Sequence, residues 1–324
     1  MLETIIKSIR EYEGVTRKNP IKTLTTCFSE VDDFGHTEIS FGDDSAVLKT
    51  DDGYLLFAAD GIWSKLMDRD PVWAGYCAVL ANVNDIYAMG GRPLALTNVM
   101  SIKDEKNCPR IIEGICRGCT KFKVPMVGGH LHPNTQTESL SISIIGKATR
   151  VLTSFDATPG QDILVAVDTT GEQHDEFLNW DSTSMKSPDE VVARLDCIVE
   201  VAEKGYATAC KDISNPGLLG TIGMLLETSE VGATIDIDAI PRPEALELDT
   251  WLKMYPGFGF ILTCDPKRTS DVCGLFTKQG VECAVIGTIN DSKRMEVTLG
   301  DERGVLFDFS KDIITGITKR MLPR

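Results

Sequence analysis

The chain has 324 residues, of which 42% are hydrophobic and 25% are charged, and its formal net charge at pH 7 is −15. That length indicates two domains, each large enough to bury its own core. The acidic charge argues against binding to nucleic acid or anionic membranes, so an anionic ligand must be met by local cations, backbone donors or a bound metal.

The cysteines and the N-terminus predict a soluble, cytoplasmic protein. Ten cysteines are spread through the chain without a compact disulfide framework, and Cys116 and Cys119 lack a second pair at zinc-finger spacing. The first ten residues have the spacing of an amphipathic helix rather than of a signal sequence. No apolar run approaches the ~20 residues of a membrane span.

Hydrophobic periodicity predicts alternating helices and strands in the first half of the chain, with proline and glycine marking their ends. In chain order, the predicted elements are a helix over 1–20, a strand over 38–49 that a turn at 42–44 interrupts, a strand over 54–59, a helix over 71–87, a strand over 94–100, a helix over 109–122, a strand over 124–127 that ends before Gly128, and a strand over 139–148. The strand over 54–59 is apolar throughout, which predicts burial on both faces.

A run of turn-forming residues at 153–161 is the best linker in the chain. It predicts two domains, residues 1–152 and 153–324. The elements predicted beyond it are a strand over 162–167, an irregular stretch over 168–187, a helix over 188–204 capped by Ser187, a turn over 209–217, a helix over 218–226, strands over 234–237 and 257–263, a helix over 271–279 and a strand over 281–286.

Two adjacent carboxylates, Asp43 and Asp44, follow Gly42 and precede an apolar strand. Neighbouring side chains of a strand point to opposite faces, so these two can converge on one ligand only if Gly42 turns the chain. Two unit charges ~4 Å apart repel by about 4 kcal/mol at an effective dielectric near 20, so a cluster of acids needs a counter-ion. Mg²⁺ fits, because it takes oxygen ligands and binds against phosphates. A solvated turn is the alternative interpretation.

Polar residues also interrupt two otherwise apolar segments. Asp60 follows the strand over 54–59, where open sheets place ligand-binding groups, although an aspartate there is commonly only a polar stop. Asn82, Asn84 and Asp85 interrupt the apolar faces of a predicted helix. Each would cost ~1–3 kcal/mol if buried without a partner, so they are expected to be hydrogen-bonded or to face a site.

Gly128 and Gly129 follow a short strand, where backbone amides can approach a phosphate closely. His130 and His132 come next, and in an extended segment their rings lie on one face. Three interpretations remain open for this pair: a transition-metal site, a general base, and hydrogen-bonded loop residues.

Seven segments occur in an order that resembles the aminoimidazole-ribonucleotide synthetase (PurM-like) superfamily. They are Gly-Asp-Asp-Ser-Ala-Val at 42–47, Asp-Gly at 60–61, the run at 81–90, Gly-Gly at 128–129, Gly-Lys-Ala-Thr-Arg at 146–150, Asp-Ile-Ser at 212–214 and Gly-Leu-Leu-Gly at 217–220. The superfamily includes thiamine-monophosphate kinase, selenophosphate synthetase and the hydrogenase-maturation dehydratase. The pattern looks closest to the AIR-synthase-related methanogenesis-marker proteins of methanogenic archaea.

The resemblance implies an α/β (α+β) fold of two domains, in which an N-terminal mixed sheet completes a barrel across a homodimer and a C-terminal α/β domain covers the nucleotide. It implies ATP- and Mg²⁺-dependent phosphoryl transfer to a small-molecule acceptor, in methanogens within cofactor metabolism. The implied metal ligands are Asp43, Asp44, Asp60, Asp85 and Asp212. The implied nucleotide-lining residues are Gly42, Asn82, Gly128, Gly129 and Arg150, and the implied catalytic residues are Asp60, Asp212 and His130.

Two departures from the family pattern leave the acceptor open. His130 stands where relatives usually have an acid after Gly-Gly, and Asn215-Pro216 follows Asp-Ile-Ser where the thiamine-monophosphate kinase pattern has Asp-Gly. Loss of one acid can leave binding while it impairs turnover. A rival function is therefore a nucleotide-binding assembly or regulatory protein without catalysis.

Overall fold

The computed structural model describes residues 1–28 and 31–319, and in that part it contains ten α-helices and sixteen β-strands. The helices are α1 Leu2–Arg10, α2 Glu13–Thr16, α3 Ile21–Phe28, α4 Ser64–Arg69, α5 Pro71–Ala88, α6 Asn107–Phe122, α7 Pro188–Lys204, α8 Gly217–Ser229, α9 Leu248–Lys253 and α10 Thr269–Lys278. The strands are β1 Thr37–Ile39, β2 Ala46–Thr50, β3 Gly53–Gly61, β4 Arg92–Ser101, β5 Met126–His132, β6 Ser139–Ala148, β7 Asp162–Val167, β8 Glu172–Gln173, β9 Asn179–Asp181, β10 Ala209–Asp212, β11 Gly232–Asp236, β12 Tyr255–Pro256, β13 Gly259–Cys264, β14 Glu282–Asn290, β15 Arg294–Leu299 and β16 Glu302–Asp308.

The first sheet has six strands in the order β1-β2-β3-β6-β4-β5, antiparallel except for the parallel pair β4 and β5. Helices α5 and α6 pack on each other, and α5 packs on β3, β4 and β6. Leu56 of β3 is fully buried in the resulting core, whereas Phe57 on the opposite face is 48% exposed. The prediction that this strand is buried on both faces is therefore wrong, because helices of the same chain cover only one face.

The second sheet has seven strands in the order β10-β13-β7-β14-β11-β15-β16. The alternation along β7 sends Val165 into one core with α8 and α9, and Leu164 into another core with α7 and α10. A sheet covered on both faces explains why β7 is buried from Ile163 to Val167 and β13 is buried over its whole length. Strands β8, β9 and β12 form a small third sheet.

The two large sheets are joined through α5, which also packs against β10 and α7. Asp70 begins this helix, since its Oδ1 accepts hydrogen bonds of 3.1 Å from the N–H groups of Val72 and Trp73. Phe155, within the predicted linker, is buried in the core that the two halves share. The boundary at residues 152 and 153 stays a prediction, and residues 320–324 of the predicted second domain lie outside the described part.

The mixed α/β architecture with two sheets confirms the predicted fold class, while the barrel across a dimer stays a prediction. Strands β6 and β7 have the predicted bounds. Helix α7 also does, and its cap Ser187 accepts a 3.2 Å hydrogen bond from the N–H of Glu190. Across the described residues, none of the helices combines the length and apolar character that a membrane span requires.

Three predictions about elements are wrong. The predicted helix over 1–20 is divided into α1 and α2, because the chain turns at Tyr12. The predicted turn at 209–212 is strand β10, which pairs with β13. Strand β5 does not end before Gly128 but continues through His132, since its backbone pairs with β4. Helix α9 and the hairpin of β15 and β16 were not predicted.

Candidate functional site

A cavity of about 410 Å³ lies between the two sheets. Its walls come from the turn at 42–44, the end of β3, helix α5, the end of β10 and the small third sheet. Both ends of the described chain contribute as well, through Arg17 and Lys18 after α2 and through Thr315 and Ile317. The cavity therefore collects residues from segments that are distant in sequence.

Three carboxylates meet in this cavity. Asp44 comes from the turn, Asp85 from α5 and Asp212 from the end of β10, and one oxygen of each lies within 4.8 Å of the others. Gly42 makes the turn possible, because its φ is +110° and a Cβ atom there would lie 2.4 Å from the side chain of Ile317. This donor set of carboxylate oxygens fits Mg²⁺.

Asp43 lies beside this triad and not within it. Its side chain is fully buried, with Oδ2 accepting a 2.7 Å hydrogen bond from the N–H of Ser154. Its Oδ1 accepts a 3.1 Å hydrogen bond from the N–H of Asp44. The structure therefore ties Asp43 to the backbone, and its predicted role as a metal ligand stays a prediction.

Lys211 was missed by sequence reasoning. Its ammonium forms an ion pair with Asp44 Oδ1 and lies 3.9 Å from Asp43 Oδ1, and its side chain is 9% exposed. Burial alone would lower the pKa of Lys211, but the charges of Asp44 and Asp43 outweigh burial and raise it. A lysine directly before the predicted ligand Asp212 was the available signal.

Burial and mutual repulsion act on the acids around Lys211. Burial raises the pKa of Asp43 to about 7, against the opposing charge of Lys211. Burial, followed by the charges of neighbouring aspartates, raises the pKa of Asp85 and Asp212 well above their ordinary values. Desolvation also raises the pKa of Asp60, which lines the cavity at the end of β3. Such carboxylates favour a bound cation.

The predicted nucleotide-lining residues divide into two groups. Gly42 lines the cavity, whereas the other four lie elsewhere. Asn82 is buried within α5 and donates a 2.8 Å hydrogen bond to the carbonyl of Ala78. Arg150 is exposed and lies against Gly205 at the end of α7.

Gly128, Gly129 and His130 belong to the exposed edge strand β5. Two strands separate β5 from β3, which corresponds to about 14 Å between the two strands. His130 pairs with Val99, so both face away from α5, and its ring centroid lies 4.3 Å from that of His132. The rings are neighbours, as predicted, but within one chain they are remote from the carboxylates.

A second cavity of about 200 Å³ continues from the first, and the two share Arg17, Trp63, Asn215 and Tyr255. Its other lining residues include Tyr12 and Phe177, so four of its ten lining residues are aromatic.

Buried polar atoms without partners occur in the wall of the larger cavity. Asn84 Oδ1, Asn179 Oδ1 and Trp73 Nε1 have no hydrogen-bond partner among the described residues, although all three side chains line that cavity. Burying such atoms unpaired is costly, so the wall retains hydrogen-bonding capacity for a ligand.

The chain matches two family models. The N-terminal domain of AIR synthase related protein matches residues 42–148, and its C-terminal domain matches residues 162–300. An uncharacterized protein of Methanocaldococcus jannaschii is 43% identical and covers 97% of this chain and 99% of its own. An uncharacterized protein of Synechocystis is 34% identical over 98% of this chain and 99% of its own. The thiamine-monophosphate kinase of Synechococcus elongatus is 24% identical over 82% of this chain and 88% of its own.

Solved structures share the fold. T. maritima PurL in complex with ATP matches with a TM-score of 0.74 at 17% identity and covers 92% of this chain, which spans 52% of that one. AaThiL in complex with AMPPCP and TMP matches with a TM-score of 0.68 at 17% identity, over 90% of this chain and 98% of its own.

Proposed function

Since the chain belongs to the AIR synthase related protein family, we propose that it is an ATP- and Mg²⁺-dependent phosphotransferase or synthetase that acts on a small molecule. The observation that carries this proposal is the triad of Asp44, Asp85 and Asp212 inside a cavity of about 410 Å³. The similarity to a thiamine-monophosphate kinase and to PurL in complex with ATP supports ATP as the nucleotide.

The site's own residues supply most of what phosphoryl transfer requires. The three carboxylates would hold Mg²⁺, which when bound neutralises phosphate oxygens. Lys18 and Arg17 line the same cavity and would offer cationic donors to a phosphate chain. Burial, reinforced by the charge of Lys211, lowers the pKa of Lys18. These groups would position the phosphates and neutralise their charge, which is the main requirement of phosphoryl transfer.

We place the acceptor toward the aromatic cavity. Trp63 and Tyr255 are shared by both cavities, so a molecule held there lies next to the carboxylate end. The unpaired atoms of Asn84, Asn179 and Trp73 would then bond to polar edges of a ligand. A full-length relative occurs in Synechocystis as well as in a methanogen, so the proposal is not limited to methanogen metabolism.

We propose further that the protein is a homodimer through the uncovered face of the first sheet. Phe57 and Val99 on this face are 48% and 50% exposed. An exposed apolar sheet face of this kind marks an interaction surface. A catalytic role for His130 would require this assembly, because within one chain β5 does not reach the carboxylates. Light scattering should give a dimer that Phe57→Asp dissociates, and a monomeric parent at micromolar concentration would contradict the assembly.

The proposed function is tested by ADP release. The full chain is incubated with ATP, Mg²⁺ and a small-molecule extract of a methanogen, and we expect extract-dependent ADP that Asp85→Asn abolishes. Asp52→Asn is the matched control, because Asp52 is an exposed aspartate that pairs with Lys147 and does not line the cavity. Mg²⁺-dependent nucleotide binding without ADP release under any extract would favour the rival, a nucleotide-binding partner protein.

A further inference from the structure

We propose that Lys211 takes the place of a second metal ion between Asp43 and Asp44, so that the cluster holds one divalent ion on Asp44, Asp85 and Asp212. This inference rests on the proposed function and specifies the number of metal ions in its site.

The position of Lys211 is built into the fold. Lys211 directly precedes Asp212, and its backbone pairs with Ile261 of β13, which fixes its place in the sheet. The side chains of Lys211, Asp44 and Asp43 are 9%, 5% and 0% exposed. Buried charges persist in proteins when they are paired, and here the lysine is the cation that two buried carboxylates share.

The hydrogen bonds of Asp43 and Asp44 leave little room for a second metal ion. Two-metal sites place their ions ≈ 3.5–4 Å apart and rely on carboxylates that reach both. Asp44 is the member of the triad that neighbours Asp43, and its Oδ1 is paired with Lys211, which lies on the Asp43 side. Both oxygens of Asp43 accept hydrogen bonds from backbone N–H groups. Asp44 Oδ2 accepts one 3.2 Å hydrogen bond, from the N–H of Asp212, and a carboxylate oxygen has two lone pairs, so Asp44 keeps capacity for the single ion of the triad.

The charge of the cavity agrees with one ion. Its charged lining residues are five aspartates and the three cations Arg17, Lys18 and Lys211, which gives a formal charge of −2 when all are ionised. One divalent ion balances that charge before a nucleotide binds. Two divalent ions would leave an excess of positive charge in a buried cluster.

The count of bound ions tests the proposal. The full chain is titrated with Mn²⁺ without nucleotide, and free Mn²⁺ is measured by electron paramagnetic resonance. We expect one ion per chain for the parent and for Lys211→Arg, and two for Lys211→Ala. Lys253→Ala is the matched control and should bind one ion, because Lys253 pairs with Asp249 outside the cavity.

Two further variants decide the matter even if Lys211→Ala fails to fold. Asp43→Asn should still bind one Mn²⁺ with affinity within about threefold of the parent, whereas Asp44→Asn should lose at least about tenfold. Two ions in the parent, one ion in folded Lys211→Ala, or equal losses in the two aspartate variants would each overturn the proposal.

Failure of the proposed function is distinguishable from failure of this inference. One ion in the parent and two in Lys211→Ala, without ADP release by either, would remove the enzymatic function and leave the role of Lys211 intact. A parent that binds no Mn²⁺ would overturn both.

Discussion

The carboxylate cluster and the ring of His130 on β5 lie on opposite faces of the first sheet. Asp85 projects from α5 on the covered face, where it meets Asp44 and Asp212. His130 shares the uncovered face with Val99. The comparison shows that strand register, and not the glycine-rich motif alone, decides which groups the residues after Gly129 face.

The largest effect is expected from a change in the cluster. Asp212→Asn should weaken Mg²⁺-dependent AMPPCP binding at least about 100-fold, or ~2.8 kcal/mol, by calorimetry, because it removes one carboxylate of the triad. It should also raise the melting temperature of the ligand-free protein, since it removes a carboxylate that is disfavoured by burial and by the charge of Asp44. Binding equal to that of the parent would place the metal elsewhere.

A pair of glycine substitutions compares the backbones of the two regions. Gly42→Ala should destabilise the fold by ~2 kcal/mol, because φ is +110° and the new Cβ would lie 2.4 Å from Ile317 Cγ2. Gly128→Ala should cost less than ~0.5 kcal/mol, since its Cβ would meet only Thr97 Cγ2, at 3.7 Å. Urea unfolding measures both, and equal costs would contradict the tight packing assigned to the turn.

The pH dependence of Mg²⁺ affinity should come from the carboxylate cluster and not from His130. Burial raises the pKa of Asp85 and Asp212, so a metal competes with protons for these carboxylates, and Mg²⁺ affinity should rise with pH, by about tenfold per unit where one proton is displaced. Calorimetry between pH 6 and pH 7 measures this slope, and His130→Ala should leave it unchanged. A slope that His130→Ala removes would move the metal to β5.

Ligand-free stability should have the opposite pH dependence. The folded-state pKa of Asp43 is raised to about 7, above its ordinary value, so the folded chain binds more protons than the unfolded chain. The resulting stabilisation is complete at acid pH and is lost as the pH rises through 7. Urea unfolding of the ligand-free chain should therefore show a free energy of unfolding that falls as the pH rises toward 7.

The smallest effect is expected at β5. His130→Ala should change AMPPCP affinity less than about twofold by calorimetry, because within one chain the ring faces away from the carboxylates. A loss of tenfold or more would mean that β5 of another chain completes the nucleotide site, and Phe57→Asp should then cause a similar loss.

Local signals predicted the elements with strong periodicity or caps. Pro71 and the apolar spacing that follows gave α5, and Ser187 with Glu190 gave the start of α7. Strand β10 was missed because it has only four residues and is polar at one end. Its pairing with the distant strand β13 decides its structure.

The arrangement of the site residues likewise depends on contacts between distant segments. Asp44, Asp85 and Asp212 were named from motifs, but the exclusion of Asp43 from the triad depends on Ser154, which lies 111 residues away in sequence. The inclusion of Lys211 depends on the contact between β10 and the turn at 42–44, and no local pattern reports that contact.

Crystals of the full chain grown with AMPPCP and Mn²⁺ would locate the metal directly, through its anomalous signal. We expect a peak within coordination distance of Asp44, Asp85 and Asp212, and no peak between Asp43 and Lys211. A peak bound by His130 and His132, with none at the triad, would contradict this expectation.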